Sequence, residues 1–235
     1  MTFHRARFIT ALAVLLVCGM SHAQSVDVTG RVQFTHADKQ KAARAQSSGV
    51  VVWLNPTSSN PPAAKPGHFR LVQKDKSFHP HLLVVPLGSA VDFPNMDPFF
   101  HNVFSQFNGK RFDLGLYEEG SNKTVRFDHE GVSYIFCNIH PEMSAVVISL
   151  ATPYVAVSSP QGQIDLHDVP PGTYEMRVWA EGVDQKQLNS LTRHERIGPS
   201  EADLGVIQLT ESGANIAHKN KYGEDYFPDR GTTTY

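Results

Sequence analysis

Apolar positions in this chain fall into short runs, alternating with polar residues or wholly apolar, and Gly, Pro and Asn punctuate them. Little of the pattern has helical period, so the sequence reads as all-β. Residues 26–34 alternate, while Val50-Val51-Val52-Trp53-Leu54 is a continuous run suited to a strand buried on both faces. Residues 82–85 lead through Pro86-Leu87-Gly88 into Val91-Asp92-Phe93, a strand–turn–strand pattern, and 123–127 alternates again. Residues 131–136 and 144–150 read as strands on either side of a short polar segment. Further on, 154–157, 161–166 and 169–179 read as three strands joined by tight turns, and 204–209 as a last one. Segment 37–48 is polar, a loop or one short helix, and 55–66, rich in Pro, Ser and Ala, reads as a linker. The alternating charges of Arg193 to Arg196 read as a solvated face or loop. The polar tail from Glu211 is expected to be poorly ordered.

Composition adds a compartment. Arg5 and Arg7, an apolar stretch from Phe8 to Met20 and the small-residue end Ser21-His22-Ala23 form a secretory signal, with cleavage expected after Ala23. Its apolar stretch is too short to span a bilayer, and no later run is long enough. Export to the periplasm follows as the expectation. The formal charge is −2, and removal of Arg5 and Arg7 makes the mature chain more acidic, which argues against nucleic acid as a partner. Two cysteines are present, and cleavage removes Cys18. Cys137 is then an unpaired thiol in an oxidising compartment. It is a buried inert side chain, a site of intermolecular pairing, or a metal ligand.

Its neighbours favour the last. The run Cys137-Asn138-Ile139-His140-Pro141-Glu142-Met143, with His101 upstream, supplies a thiolate, two imidazoles and a thioether. Two His and one Cys in a plane with a weak axial Met is the donor set of a mononuclear electron-transfer copper centre. Three of the four donors come from one short loop and the fourth from a distant strand end, delivered by the turn Asn95-Met96-Asp97-Pro98. His79 and His81, at i and i+2, would share a face of a strand. They offer part of a second, weaker copper site, although such a pair without a third ligand is usually incidental.

The segment 67–152 resembles a cupredoxin, the Greek-key copper sandwich of plastocyanin, pseudoazurin and amicyanin. The resemblance rests on Phe78-His79-Pro80, Gly88-Ser89-Ala90-Val91-Asp92-Phe93-Pro94-Asn95, His101-Asn102 and the Cys-x-x-His-x-x-Met loop. It implies one type 1 copper held by His101, Cys137, His140 and Met143. It also implies that the amide of Asn102 points at the Cys137 sulfur and that the Asn102 side chain ties two loops together. Where that loop usually has Pro before its His, this chain has Ile139. The flanks, Val28-Thr29-Gly30-Arg31-Val32 with 50–54, then Gln161-Gly162-Gln163-Ile164 and 169–174, resemble a carboxypeptidase-regulatory-like (transthyretin-like) sandwich. The expected organisation is a signal (1–23), two flanking parts of one sandwich (24–66 and 153–210), a copper unit (67–152) inserted in or packed beside it, and a tail (211–235).

Enzyme signatures are missing: no phosphate-binding Gly-rich loop follows a strand, and there is no Gly-x-Ser-x-Gly elbow or His-Glu-x-x-His pair. The functional expectation is therefore a non-enzymatic electron carrier with a redox partner protein. A copper-handling protein with a delivery partner is the alternative, and an interaction module with structural copper a third.

Overall fold

The computed structural model describes residues 24–35, 49–58, 62–106, 109–211 and 219–226. The signal at 1–23 and the polar segment 37–48 lie outside them. The described chain is all-β as expected, apart from α1 (Gln185–Ser190), whose start is capped by Asp184 accepting from the Gln187 amide at 2.9 Å.

The middle of the chain forms a two-sheet sandwich. One sheet runs β6 (Leu82–Pro86), β12 (Ser144–Leu150), β11 (Gly131–Phe136), β8 (His101–Ser105), β9 (Phe112–Tyr117). The other is β10 (Asn122–Arg126), β7 (Ala90–Pro94), β3 (His68–Arg70). Val91, Phe93 and Val125 of the smaller sheet meet Val103, Ile135, Ala145 and Val147 of the larger in one core. A hairpin, β4 (Val72–Lys74) and β5 (Ser77–His79), lies beside them. Its turn residues Asp75 and Lys76 both have positive φ, 55° and 54°, as a two-residue hairpin turn of the primed kind requires.

The two ends of the chain build a second body. β1 (Val26–Thr35) lies between β14 (Gln163–Val169), antiparallel, and β17 (Ala202–Thr210), parallel. The other sheet runs β13 (Val155–Val157), β2 (Val51–Pro56), β15 (Gly172–Trp179), β16 (Arg193–Ile197). β1 and β2 precede the middle sandwich and β13 to β17 follow it, so each sheet of this body joins strands from both flanks.

The bodies share a wall. Ala145 and Val147 of β12 enter the middle core, whereas Val146, Ile148 and Leu150 enter the core of the flanking body. β6 does the same with Leu83 and Val85 on one side and Leu82 and Val84 on the other. This explains the apolar runs of both strands: each packs one face into each core, β12 buried on both and β6 partly so.

Of the two readings of Arg193 to Arg196, the solvated face holds: the segment is part of β16, paired with β15, with His194 and Arg196 exposed, and charges on an outer strand suit an edge that must not recruit other strands. Two expectations change. The linker at 55–66 begins later, because Asn55 and Pro56 still pair with Glu175 and Tyr174. Val169 closes β14 rather than opening β15, with Pro170 and Pro171 forming the turn.

Ile148→Ala is expected to cost about 2–5 kcal/mol, because it leaves a cavity in the core of the flanking body against the shared wall. Val157→Ala, at a half-exposed position, should stay within about 0.5 kcal/mol. Equilibrium denaturant unfolding of the two variants checks this.

Candidate metal centre

Register delivers the donors. β11 and β12 form a hairpin in which Phe136 faces Ser144, leaving residues 137–143 as its loop. β11 also pairs antiparallel with β8, Phe136 opposite Phe104, which brings His101, the first residue of β8, alongside Cys137. Inside the loop the Cys137 amide donates to the Met143 carbonyl at 3.2 Å, and the Met143 amide to the His140 carbonyl at 3.1 Å.

The Cys137 sulfur lies 3.7 Å from Nδ1 of His101 and 3.7 Å from Nδ1 of His140. All three donor atoms fall within 4.8 Å of one another, the sole such grouping among the described residues. Bonds from one ion of about 2.3 Å to a thiolate and about 2.0 Å to an imidazole, opened by about 110–120°, place their donor atoms about 3.5–3.7 Å apart. The spacing therefore fits a single shared ion. Cys137, His101 and Met143 are fully buried and His140 is half-buried. Met143 belongs to the same core cluster as Cys137 and closes the loop.

The thiol is unusually acidic. Burial pushes its pKa up, but His101, His140 and the amides of Asn102 and Ile139 all stabilise the thiolate, bringing it from an ordinary 9.0 down to about 6. Burial lowers the pKa of His101, yet Cys137 and Asp97 outweigh it and leave it raised. Cys137 and His101 thus each favour the other's charged form, and a metal ion held between them would supply the positive charge instead.

Asn102 follows His101 at the start of β8. Its amide bonds to the Cys137 sulfur. Its side chain donates to Asp113 Oδ1 at 2.7 Å, joining the start of β8 to β9. Its Oδ1 has no partner among the described residues.

Asp97 escaped the sequence reading, which took it only as part of a turn. Its carboxylate sits 2.8 Å from Nε2 of His101, with side chains 5% and 0% exposed. An ionised carboxylate only accepts, so Nε2 carries the proton and Nδ1 is left to bind metal. The amides of Asp75 and Lys76, at 2.7 and 3.0 Å, hold the carboxylate from the hairpin turn. Burial raises its pKa, but His101 and these amides keep it below the ordinary carboxylate value. An acid four residues before a candidate ligand, inside a turn, was the available signal.

His79 and His81 are not assembled into a comparable group. β5 ends at His79 and β6 begins at Leu82, so the two do not alternate on one strand as the i, i+2 argument assumed. His81 is instead engaged at both ring nitrogens, by the Ser144 carbonyl at 3.0 Å and the Glu181 carboxylate at 2.7 Å. The Glu181 hydrogen bond is the main reason its pKa is raised.

Around the site, the Phe99 ring lies 5.1 Å from that of His101 and 5.7 Å from that of His140. Met96, Phe99, Phe100 and Ile139, from the turn before His101 and the loop itself, are exposed apolar side chains. Phe104 and Phe136 pair behind the loop at 5.8 Å.

No protein-family model and no curated protein matches this chain. Among solved structures it is similar to a purple cupredoxin from Nitrosopumilus maritimus, at 25% identity over 34% of this chain and 98% of that one, TM-score 0.31. Amicyanin from Paracoccus versutus matches at 19% identity over 41% of this chain and 97% of its own, TM-score 0.34. A copper-containing nitrite reductase from Thermus scotoductus matches at 20% identity over 51% of this chain but 28% of the reductase, TM-score 0.34.

In metal-free protein the ultraviolet absorbance of the Cys137 thiolate should titrate near pH 6, and His101→Ala should move the midpoint upward. Because the folded value lies below the unfolded one, the associated stabilisation is complete above about pH 9 and is lost as pH falls through about 6. A midpoint at the ordinary thiol value would contradict the arrangement. Asp97→Ala, which frees Nε2 of His101 and strands two amides, should weaken metal binding roughly 10–100-fold in a competition titration.

Proposed function

We propose that this chain is an exported, periplasmic copper protein that carries single electrons, with one type 1 ion bound by His101, Cys137 and His140 in a plane and Met143 as weak axial ligand. The observation that carries the reading is the convergence of two imidazole nitrogens on a buried, acidic thiol at 3.7 Å each. A thiolate with two imidazoles and a thioether suits copper in both oxidation states, whereas a structural zinc site would use four Cys or His donors.

Copper bound there supplies a one-electron Cu(I)/Cu(II) couple. The protein's part is to keep the donors still and dry while the charge changes. Asp97 fixes the tautomer and angle of His101, and the amides of Asn102 and Ile139 hold part of the thiolate charge. Strands β8, β11 and β12 anchor the donors at their ends, so little rearrangement accompanies electron transfer. The exposed apolar rim of Met96, Phe99, Phe100 and Ile139 near half-buried His140 suits a short-lived contact with a redox partner protein. We place the copper unit as an insertion in the flanking body, which serves as its carrier and shares the β6–β12 wall.

Copper delivery or sequestration is the second reading, favoured by the half-buried position of His140, which gives a competing ligand an approach to the ion. Ready transfer of Cu(I) to a competing chelator would support it, and reversible voltammetry with fast self-exchange would support the carrier.

Cu(II) added to the purified mature protein should produce an intense sulfur-to-copper visible band. Cys137→Ser should abolish the band and His79→Ala should leave it intact. Met143→Leu should keep the colour while shifting the potential upward by voltammetry, since the axial thioether is lost. A colourless product with intact Cys137 would overturn the electron-transfer reading.

A further inference from the structure

The described C-terminal segment, residues 219–226, belongs to a tail whose composition suggested disorder, yet it is tied to the metal loop. The Tyr226 hydroxyl donates to the carbonyl of Cys137 at 2.8 Å. The Lys221 amide donates to Asn138 Oδ1, between Cys137 and His140, at 2.9 Å. Gln106 donates to the Lys221 carbonyl from the end of β8. The Lys221 ammonium pairs with Asp113 at 2.8 Å, the same carboxylate that accepts from the Asn102 side chain. Asp113 thereby links the segment to the residue whose amide bonds the thiolate.

The segment is shaped for this. Buried Asn220 accepts from the amides of Tyr222 and Glu224 through its Oδ1, at 2.9 and 3.0 Å. Its own amide donates to the Glu224 carbonyl and its carbonyl accepts from Gly223, both at 2.9 Å. Gly223 has φ +79°, which a glycine takes at no steric cost. This knotted turn presents Lys221 and Tyr226 together.

The loop gains from such support. Ile139, not Pro, precedes His140, so the loop's proline, Pro141, lies after that residue and the stretch from Asn138 to His140 has none. We infer that residues 219–226 act as a clasp on the Cys137–His140 loop, with Tyr226 and Lys221 as positioning residues, so that a segment from outside the copper unit sets how readily the site opens. Opening exposes the Cys137 thiol and, where the copper reading above holds, releases the ion. The first consequence does not depend on copper; the second rests on that reading.

Two rates in the full mature chain test this. One is alkylation of Cys137 in metal-free protein at a fixed pH of 8.5; the other is transfer of Cu(I) to a chelator. Tyr226→Phe keeps the ring and removes one hydrogen bond, so both rates should rise about two- to tenfold. Lys221→Gln breaks a partly exposed ion pair and should raise them about two- to fivefold, with Lys221→Arg returning them to wild type. If Tyr226→Phe does not fold, the Lys221 pair of variants decides the matter. Wild-type rates in the folded variants would overturn the clasp. A wild-type chain that takes up no copper would overturn the copper reading, while the alkylation rates still decide the clasp.

Discussion

Strand β12 has no side that faces water, and the placement of the donor atoms depends on that. Sliding it by one residue against β11 would swap Val147 with Val146 or Ile148, exchanging side chains between two cores of different shape. Its register is therefore pinned from both faces, and with it the pairing of Phe136 and Ser144 that sets the loop at residues 137–143. β11 passes this constraint on to β8, and so to His101. The flanking body, which holds none of the proposed ligands, is in this sense part of the site's scaffold.

A buried thiolate without a permanent cation beside it needs another source of stabilisation. Here amides of Asn102 and Ile139 and two imidazoles supply it, and they outweigh the burial that would keep the sulfur protonated. The imidazole of His101 is in turn held by Asp97, and Asp97 by the amides of a hairpin turn with two left-handed residues. Each group makes the next one's charge tolerable, so the polar chain stands or falls together. A proposed copper ion would supply the positive charge at its centre.

Support for the loop comes from three directions. The strands fix its ends, the turn 95–98 fixes the incoming imidazole, and the knotted segment around Asn220 holds its outer backbone. His81 adds a contact from the flanking body, linking Glu181 to the carbonyl of Ser144, next to Met143. The apolar rim of Met96, Phe99, Phe100 and Ile139 is left outward, which suits a surface for brief encounters.

Residue types and their local spacing were enough to read the all-β character, most of the strands and the grouping of His101, Cys137 and His140, because strand period, turn residues and a compact loop are local properties. The strand at Phe112–Tyr117 and α1 went unread: Gly115 breaks the alternation of the first, and the second spans only six residues. Arg193 to Arg196 stayed open between a solvated face and a loop, because an edge strand and a charged loop look alike until a partner strand is known, and β15 is that partner. Asp97 as the holder of His101, both faces of β12 as buried, His81 turned to Glu181, and a polar tail segment docked on Cys137 were decided only by tertiary structure. Each is a contact between residues that depends on how distant strands are layered, and no local pattern of hydrophobic and polar positions encodes that layering.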